Sequence, residues 1–273
     1  MIVAHTLQEF LQSRSQLQNH SVALVPTMGA LHEGHIAVIK KAKELSHYCI
    51  VTIFVNQLQF DQLDDYLRYP KTEENDIRLL EKNQVDLVWL PKAHDIYSKN
   101  FCTRIVIEGP ALNWEGAVRK GHFSGVATLV NRLFSLIKPT IACFGEKDWQ
   151  QLQVIKRMVE DLNIPVTIFG VPIVREKNGL AKSSRNKFLT PDEHEKASLL
   201  YKTLQNSYKK IQNNQNISKV LEEAVQTLES EGFKVDYYAA VNSNTMTELR
   251  KWCQDGRLIA AAKLGSVRLI DNM

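Results

Sequence analysis

The chain has no G-x-G-x-x-G fingerprint, which argues against the dinucleotide-binding turn of a Rossmann fold. Gly116 and Gly121 have P-loop spacing, yet His122 and Phe123 follow where Lys and Ser/Thr belong, so a Walker A loop is excluded as well. Any nucleotide must be held another way. The four cysteines form no C-x-x-C pair: Cys49 and Cys143 sit in apolar strand-like runs, while Cys102 and Cys253 stand alone. Neither a cysteine zinc site nor a redox dithiol follows, and a reducing cytoplasm is the expected compartment. No apolar run approaches the roughly 18 residues of a membrane span, and the N-terminal MIVAHTLQEF lacks a basic region followed by an apolar stretch. A soluble, non-secreted protein without a membrane partner is expected, in which the N-x-S matches at Asn19 and Asn216 are chance. Charge is nearly balanced, with 34 Lys and Arg against 30 Asp and Glu, and no concentrated basic runs suggest nucleic acid. The mild positive excess suits small anions better than polyanions.

What is present is an alternation of β-rich runs and amphipathic segments. SVALVP (21–26), CIVTIFV (49–55), DLVWL (86–90), TRIVI (103–107), TIACFG (140–145) and VTIFGVPIV (166–174) read as strands covered on both faces. Between them Ile36, Val38, Ile39, Ala42 and Leu45 follow helical spacing, as do Val126, Leu129, Val130, Leu133, Phe134 and Ile137, the latter run stopping before Pro139. This is βαβ order and predicts an α/β fold: a doubly wound, Rossmann-like parallel sheet over residues 1–176. After about residue 176 the texture changes to charged helical stretches (191–211 and 217–231), then to VDYYAAV and RLIAAAKL, which read as strands. A smaller α+β domain over 177–273 is expected, and 273 residues suffice for two cores.

In an open α/β sheet, ligands bind beyond the carboxyl ends of the strands, and three polar clusters fall there. PTMGALHEGH (26–35) follows the first run above, NQLQF (56–60) the second, and GEKDWQQLQ (145–153) the run ending at Phe144. His-Glu-Gly-His raises zinc, but the zincin pattern H-E-x-x-H sets its histidines four apart, and here they are three apart. The competing reading is a strand-to-helix loop whose N–H groups and imidazoles meet phosphate. Lys147 opens a helix, where the dipole disfavours a cation and an anion nearby would explain it; a solvated lysine is the bland account. GLAKSSRN (179–186) is either an anion clamp or a polar linker, and Arg119 and His122 precede another helix. The amides Gln59 and Gln151 suit the hydroxyls and carboxylate of a small polar substrate. For Mg²⁺ the candidate is Asp76, flanked by Glu74 and Asn75, although an acid at a helix start is often only a cap.

Taken together and in order, PTMGALHEGH, FVNQLQF, YPKTEEND, WEGAVRKGHFSGVATLV, FGEKDWQQL and REKNGLAKSSRNKFL resemble the pantothenate synthetase (pantoate–β-alanine ligase) family across most of residues 20–190. That family is similar to class I aminoacyl-tRNA synthetases in its HIGH-type loop, and KSSRN looks like a relative of their KMSKS loop. The resemblance implies ATP-driven condensation of (R)-pantoate with β-alanine through pantoyl adenylate, releasing AMP and diphosphate, with Mg²⁺ and a homodimer. It also implies that the histidines hold phosphates rather than zinc. Carried over by motif, Met28, Gly29, Ala30, Leu31, His32, Glu33, Gly34 and His35, then Gly145, Glu146, Lys147 and Asp148, then Val174, Lys182, Ser183, Ser184 and Arg185 form the ATP site. Of these, His32, His35, Lys147, Ser183, Ser184 and Arg185 are implied in catalysis, with His35 as proton donor. Gln59 and Gln151 are implied to hold pantoate, with Asn56 and Arg119 near the substrates.

The chain departs from the family pattern at Gln57 and Lys120, where proline is usual, at Lys71 in place of arginine, and at Lys182 in a usually apolar position. Loss of two prolines loosens local loops without removing a contact group. Two other readings compete: a synthetase-like protein acting on tRNA, which would need a basic docking surface, and a non-enzymatic ATP-binding regulator, which would need neither glutamine.

Overall fold

A computed structural model describes residues 1–17, 20–61 and 63–273; the N-x-S match at Asn19 lies outside the described residues. In chain order the elements are β1 (Ile2–Ala4), α1 (Leu7–Ser15), β2 (Val22–Thr27), α2 (Glu33–Leu45), β3 (Tyr48–Ile53), α3 (Leu63–Arg68), α4 (Glu73–Lys82), β4 (Leu87–Trp89), α5 (Ala93–Ile96), α6 (Glu115–Val118), α7 (His122–Ile137), β5 (Ile141–Gly145), α8 (Trp149–Asp161) and β6 (Thr167–Val171). They are followed by α9 (Pro191–Ala197), α10 (Leu199–Gln212), α11 (Ile217–Ser230), β7 (Lys234–Asn242), β8 (Gly256–Leu264) and β9 (Val267–Asn272).

Six parallel strands form one sheet in the order β1-β4-β3-β2-β5-β6, so the fold is doubly wound and reverses direction between β2 and β5. The continuous apolar runs have the cause expected of them. In β2, Val22 and Leu24 face a core built with α1, α7 and α8, while Ala23 and Val25 face a second core built with α2 and α4. Both faces are covered, so a strand cannot alternate with polar residues without burying them unpaired.

A separate antiparallel sheet, β7-β8-β9, packs under α10 and α11 around a core that begins at Leu180 and includes Leu204, Leu228 and Leu258. The hairpin β8–β9 turns through Gly265, whose φ of +54° needs no Cβ.

Two expectations need correction, and two strands went unforeseen. The segment 103–107 is not a strand: Ile105 and Ile107 pack on the first core, but Val106 is 72% exposed and, among the described residues, no neighbouring strand completes a ladder. The helical stretch 191–211 is two helices, α9 and α10, meeting at buried Ser198. β1 and β9 escaped the periodicity reading, although Gly265–Ser266 between apolar runs is a hairpin signal.

Candidate active site

The loops after β2, β3 and β5 meet where the strand order reverses, and between them lies a cleft of about 230 Å³. Of the residues singled out in the sequence, Met28, His32, Gly34, His35, Gln59, Arg119, Gly145, Lys147, Asp148, Gln151, Val174, Lys182, Ser183, Ser184 and Arg185 line it. Gly29, Ala30, Leu31, Glu33, Asn56, Asp76 and Glu146 do not.

The loop after β2 owes its shape to left-handed backbone at Gly29 (φ +83°) and Ala30 (φ +50°). At Gly29 a side chain has no room either, since a Cβ would lie 3.0 Å from Asp76 Oδ2 and 3.1 Å from Ile53 Cγ2. Two loop amides then point at Asp76: Ala30 N–H donates to Oδ2 at 2.9 Å and Leu31 N–H to Oδ1 at 2.8 Å. Thr72 Oγ1 adds a third donor at 3.0 Å, and Asp76 is 3% exposed. The sequence candidate for magnesium is therefore corrected: the carboxylate is spent on the loop and buried behind it.

His32 caps α2. Its Nδ1 accepts from Gly34 N–H at 3.1 Å, and His35 Nδ1 accepts from His32 N–H at 3.2 Å. An Nδ1 that accepts carries no proton, so each neutral ring bears its proton on Nε2. The rings lie 4.1 Å apart. Burial, reinforced by Lys147, pushes His32 down to about 4; burial, then His32 and Lys147, pushes His35 down to about 3. Both are neutral hydrogen-bond donors at pH 7, so in the free protein His35 offers a hydrogen bond and not a transferable proton.

After β5 comes a 3-10 turn, Glu146–Asp148, that brings Lys147 into the cleft. On the facing side Lys182 N–H donates to Val174 O at 2.9 Å, and Ser183 Oγ accepts from Arg185 N–H at 3.2 Å, closing a short turn. Lys182 Nζ stands 3.5 Å from Glu33 Oε2, so the KSSRN loop touches the HEGH loop directly. Arg185 donates to Asp65 at 3.1 Å.

The third cluster is organised around Asn56, which is fully buried. Its amide donates to Gln59 Oε1 (3.1 Å) and Gly125 O (3.0 Å), and its Oδ1 accepts from Leu58 N–H (3.3 Å) and Tyr97 O–H (3.0 Å). That uses both donors and both lone pairs. Asn56, implied to lie near the substrates, therefore has no bond to spare and reaches the cleft through Gln59. Gln59 donates to Met28 Sδ at 3.0 Å. Arg119 is held by Gln59 O (3.3 Å), by Asp61 (3.8 Å) and by His122 Nε2 (3.3 Å).

His122 was noticed in the sequence without a role. It is buried and pushed down to about 4, by burial first and Arg119 second; its Nδ1 lies 2.7 Å from Gln59 O. A neutral ring donating from Nδ1 and accepting at Nε2 ties Gln59 to Arg119. The inner wall of the cleft is Val126, Leu129, Val130 and Leu133, which the sequence shows only as a run at helical spacing. Helical periodicity cannot separate a core from an apolar pocket wall.

The arrangement gathers neutral N–H donors, two lysines and an arginine on one side, and amides over an apolar wall on the other. Phosphates suit the first and a small branched hydroxy acid the second. Comparison with known proteins agrees. The family model described as pantoate-beta-alanine ligase matches residues 2–273. A pantothenate synthetase of Granulibacter bethesdensis is 44% identical over 277 residues, covering 100% of this chain and 96% of that protein. A Thermus thermophilus pantothenate synthetase structure superposes with a TM-score of 0.95 at 42% identity, covering 100% of this chain and 99% of that one. A Francisella tularensis pantoate-beta-alanine ligase, solved in complex with beta-gamma ATP and β-alanine, gives 0.86 at 38% identity, covering 100% and 97%. The chain belongs to the pantoate–β-alanine ligase family.

Proposed function

We propose that this chain condenses (R)-pantoate with β-alanine at the expense of ATP, with the cleft residues acting as follows. A pantoate carboxylate oxygen attacks the α-phosphorus of ATP; the bond to the β-phosphate oxygen breaks and diphosphate leaves. The β-alanine amine then attacks the acyl carbon of pantoyl adenylate, AMP leaves with its oxygen, and the nitrogen releases a proton. No enzyme nucleophile is required, so rate comes from alignment and from stabilising phosphate charge. His32 and His35 donate from Nε2 to phosphate oxygens; Lys147, Lys182, Ser183, Ser184 and Arg185 complete the anion site. Gln59 and Gln151, with Arg119 beside them, orient pantoate, and its methyls meet the wall at Val126 to Leu133. The reading rests on one observation: neutral imidazole donors and the substrate amides face one cleft at the sheet's reversal point.

Magnesium enters as the counter-ion of ATP. Among the described residues no three His, Cys, Asp or Glu side chains are grouped to hold a metal, and Asp76 is engaged elsewhere. Such an ion would be held mainly by phosphate oxygens, with Asp148 the carboxylate that lines the cleft, and no step here runs through it.

Diphosphate release over a substrate panel tests the reaction. Release should require pantoate, and repeated turnover should require β-alanine; release without pantoate, or only with another acid, overturns it. Gln151→Ala should cost about 1–3 kcal/mol in pantoate-dependent adenylation while calorimetric binding of ATP alone stays near the parent. Strongly weakened ATP binding with unchanged pantoate saturation would move this amide to the nucleotide site.

Three further readings belong with this one. The division at residues 176 and 177 separates the sheet that binds substrates from the part that carries the KSSRN loop; limited proteolysis that never cuts between the two cores would count against it. The family resemblance carries a homodimer, and the exposed Val106, beside Ile105 and Ile107 that face the core, is one apolar contact it could use; light scattering at monomer mass would refute it. Four free cysteines and the absence, among the described residues, of a helix long and apolar enough to cross a membrane suit a cytoplasmic enzyme, checked by fractionation.

A further inference from the structure

We propose that the C-terminal pair Asp271–Asn272 is a positioning element for adenylation, holding the turn that carries Lys147 in register with the loop that carries Lys182 to Arg185. This rests on the assignment of Lys147 to the phosphates made above.

The Lys147 turn is not held by its own helix. Glu146–Asp148 is a single 3-10 turn, and Asp148, at φ −94° and ψ 59°, interrupts the helical backbone before α8. The turn and α8 are therefore not one continuous helix, and side-chain donors to its carbonyls help fix it. Asn272 Nδ2 donates to Glu146 O and to Lys147 O at 3.0 Å each. A side-chain amide has two donor hydrogens, and both are used on consecutive carbonyls of this one turn. The amide cannot rotate away, because its Oδ1 accepts from Arg257 Nη1 at 2.8 Å. Arg257 in turn lies 3.3 Å over the Trp149 ring and 3.7 Å from Glu146 Oε2. Asn272 is 3% exposed.

The preceding residue grips the other loop. Asp271, 5% exposed, accepts from both Arg175 Nη1 (2.7 Å) and Nη2 (2.8 Å). Arg175 pairs as a β-bridge with Ala181, immediately before Lys182, and stacks 3.5 Å over Tyr201. Two adjacent residues at the end of β9 thus hold the roots of both phosphate-facing loops. A displacement of about 1 Å at a reacting group can cost about a hundredfold in rate, so this brace has kinetic consequences that simple fastening of the two sheets would not. The pantoate amides have anchors of their own: Gln59 is tied to Asn56 and Met28, and α8 is held next to Gln151 by Gln150 Nε2, which donates to Pro110 O at 2.8 Å and to Asn113 O at 2.7 Å.

The test is a double-mutant cycle on the full chain. Asn272→Asp keeps the size of the side chain and turns both donors into an oxygen facing two carbonyls; Asn272→Ser leaves one donor. Single-turnover diphosphate release with ATP and pantoate is read well below each variant's melting temperature. Asn272→Asp should slow adenylation about ten- to hundredfold, with the pantoate KM within about twofold and the serine variant between parent and aspartate. In a Lys147→Ala background, where the positioned group is gone, the same change should cost less than about twofold. Losses that multiply in the double variant, or a parent-like rate with only a lower melting temperature, overturn the inference. If the aspartate variant does not fold, the cycle is run with serine and read the same way. A Lys147→Ala enzyme that adenylates normally overturns the role of the lysine itself, and with it the premise here, so the two failures are distinguishable.

Discussion

Replacing Asp76 with asparagine separates a loop brace from a metal ligand. In the parent the carboxylate accepts Ala30 N–H and Leu31 N–H on different oxygens, with Thr72 on the first. Asparagine keeps one oxygen, and its amide nitrogen then faces a backbone N–H, donor against donor, in a place that is 3% exposed. A hydrogen bond to a charged acceptor contributes about 1.5–3 kcal/mol, and stranding a buried donor costs about 1–3 kcal/mol. A total near 3 kcal/mol is expected, or about 6–12 °C in melting temperature for a chain of this size. The loss should be full in EDTA with no nucleotide present. Turnover should fall as well, because the loop sets the Nε2 positions of His32 and His35, while the magnesium concentration for half-maximal rate stays that of the parent. Calorimetry in EDTA and a magnesium titration of diphosphate release measure the two independently. An Asp76→Asn enzyme that melts like the parent in EDTA and regains its rate only at raised magnesium would refute the brace.

Gly125→Ala tests how α7 supports the pantoate side: a Cβ there would overlap the Leu58 carbonyl and stand 2.6 Å from Gln59 N. Overpacking of this kind costs about 1–3 kcal/mol. Steady-state kinetics should show kcat/KM for pantoate reduced about ten- to hundredfold with ATP binding retained, and unchanged pantoate kinetics would show that the helix does not set this loop. Acid should destabilise the free enzyme early. His32 and His122 lie at about 4 and His35 at about 3 when folded, below the ordinary 6.5, so the unfolded chain binds protons that the folded chain rejects. Stability is then full above pH 6.5 and lost as pH falls toward 4, by on the order of 1 kcal/mol per pH unit for each histidine. Melting scans from pH 7 to 5, above the carboxylate range, should show that slope, and His122→Asn should reduce it; a flat profile would mean that the rings are solvated.

The sequence carried the architecture wherever the physics is local. Leu24 and Ala23 face different cores, and that two-sided burial is what makes SVALVP an unbroken apolar run. The same reading failed at TRIVI, because Ile105 and Ile107 are partly buried against a core while, among the described residues, no strand lies beside Val106; propensity describes the chain, and pairing depends on what lies next to it. At the site the polar clusters were legible as chemistry at strand ends, since a strand, its turn and the next helix lie within a dozen residues. What local pattern does not encode is which polar groups are consumed by one another. Asp76 reads as a magnesium candidate or a helix cap, and two of its three partners are 45 and 46 residues away; Asn56 is implied near the substrates, and one of its partners, Gly125, is 69 away.

That distinction orders the functional residues. His32, His35 and Gln59 can act on a ligand because each has its hydrogen-bonding capacity only partly used: Nδ1 of each histidine is taken and Nε2 is left over, and Gln59 Nε2 has a single weak acceptor in Met28 Sδ. Asn56 has every bond made, and Asp76 and Asn272 have three side-chain partners each, which is what lets them hold those residues still. A buried polar group with every bond made rigidifies its neighbours, whereas one with a bond to spare must find it in water or in a ligand. The cleft works through its unsaturated groups, and the engaged ones around it determine where those groups point.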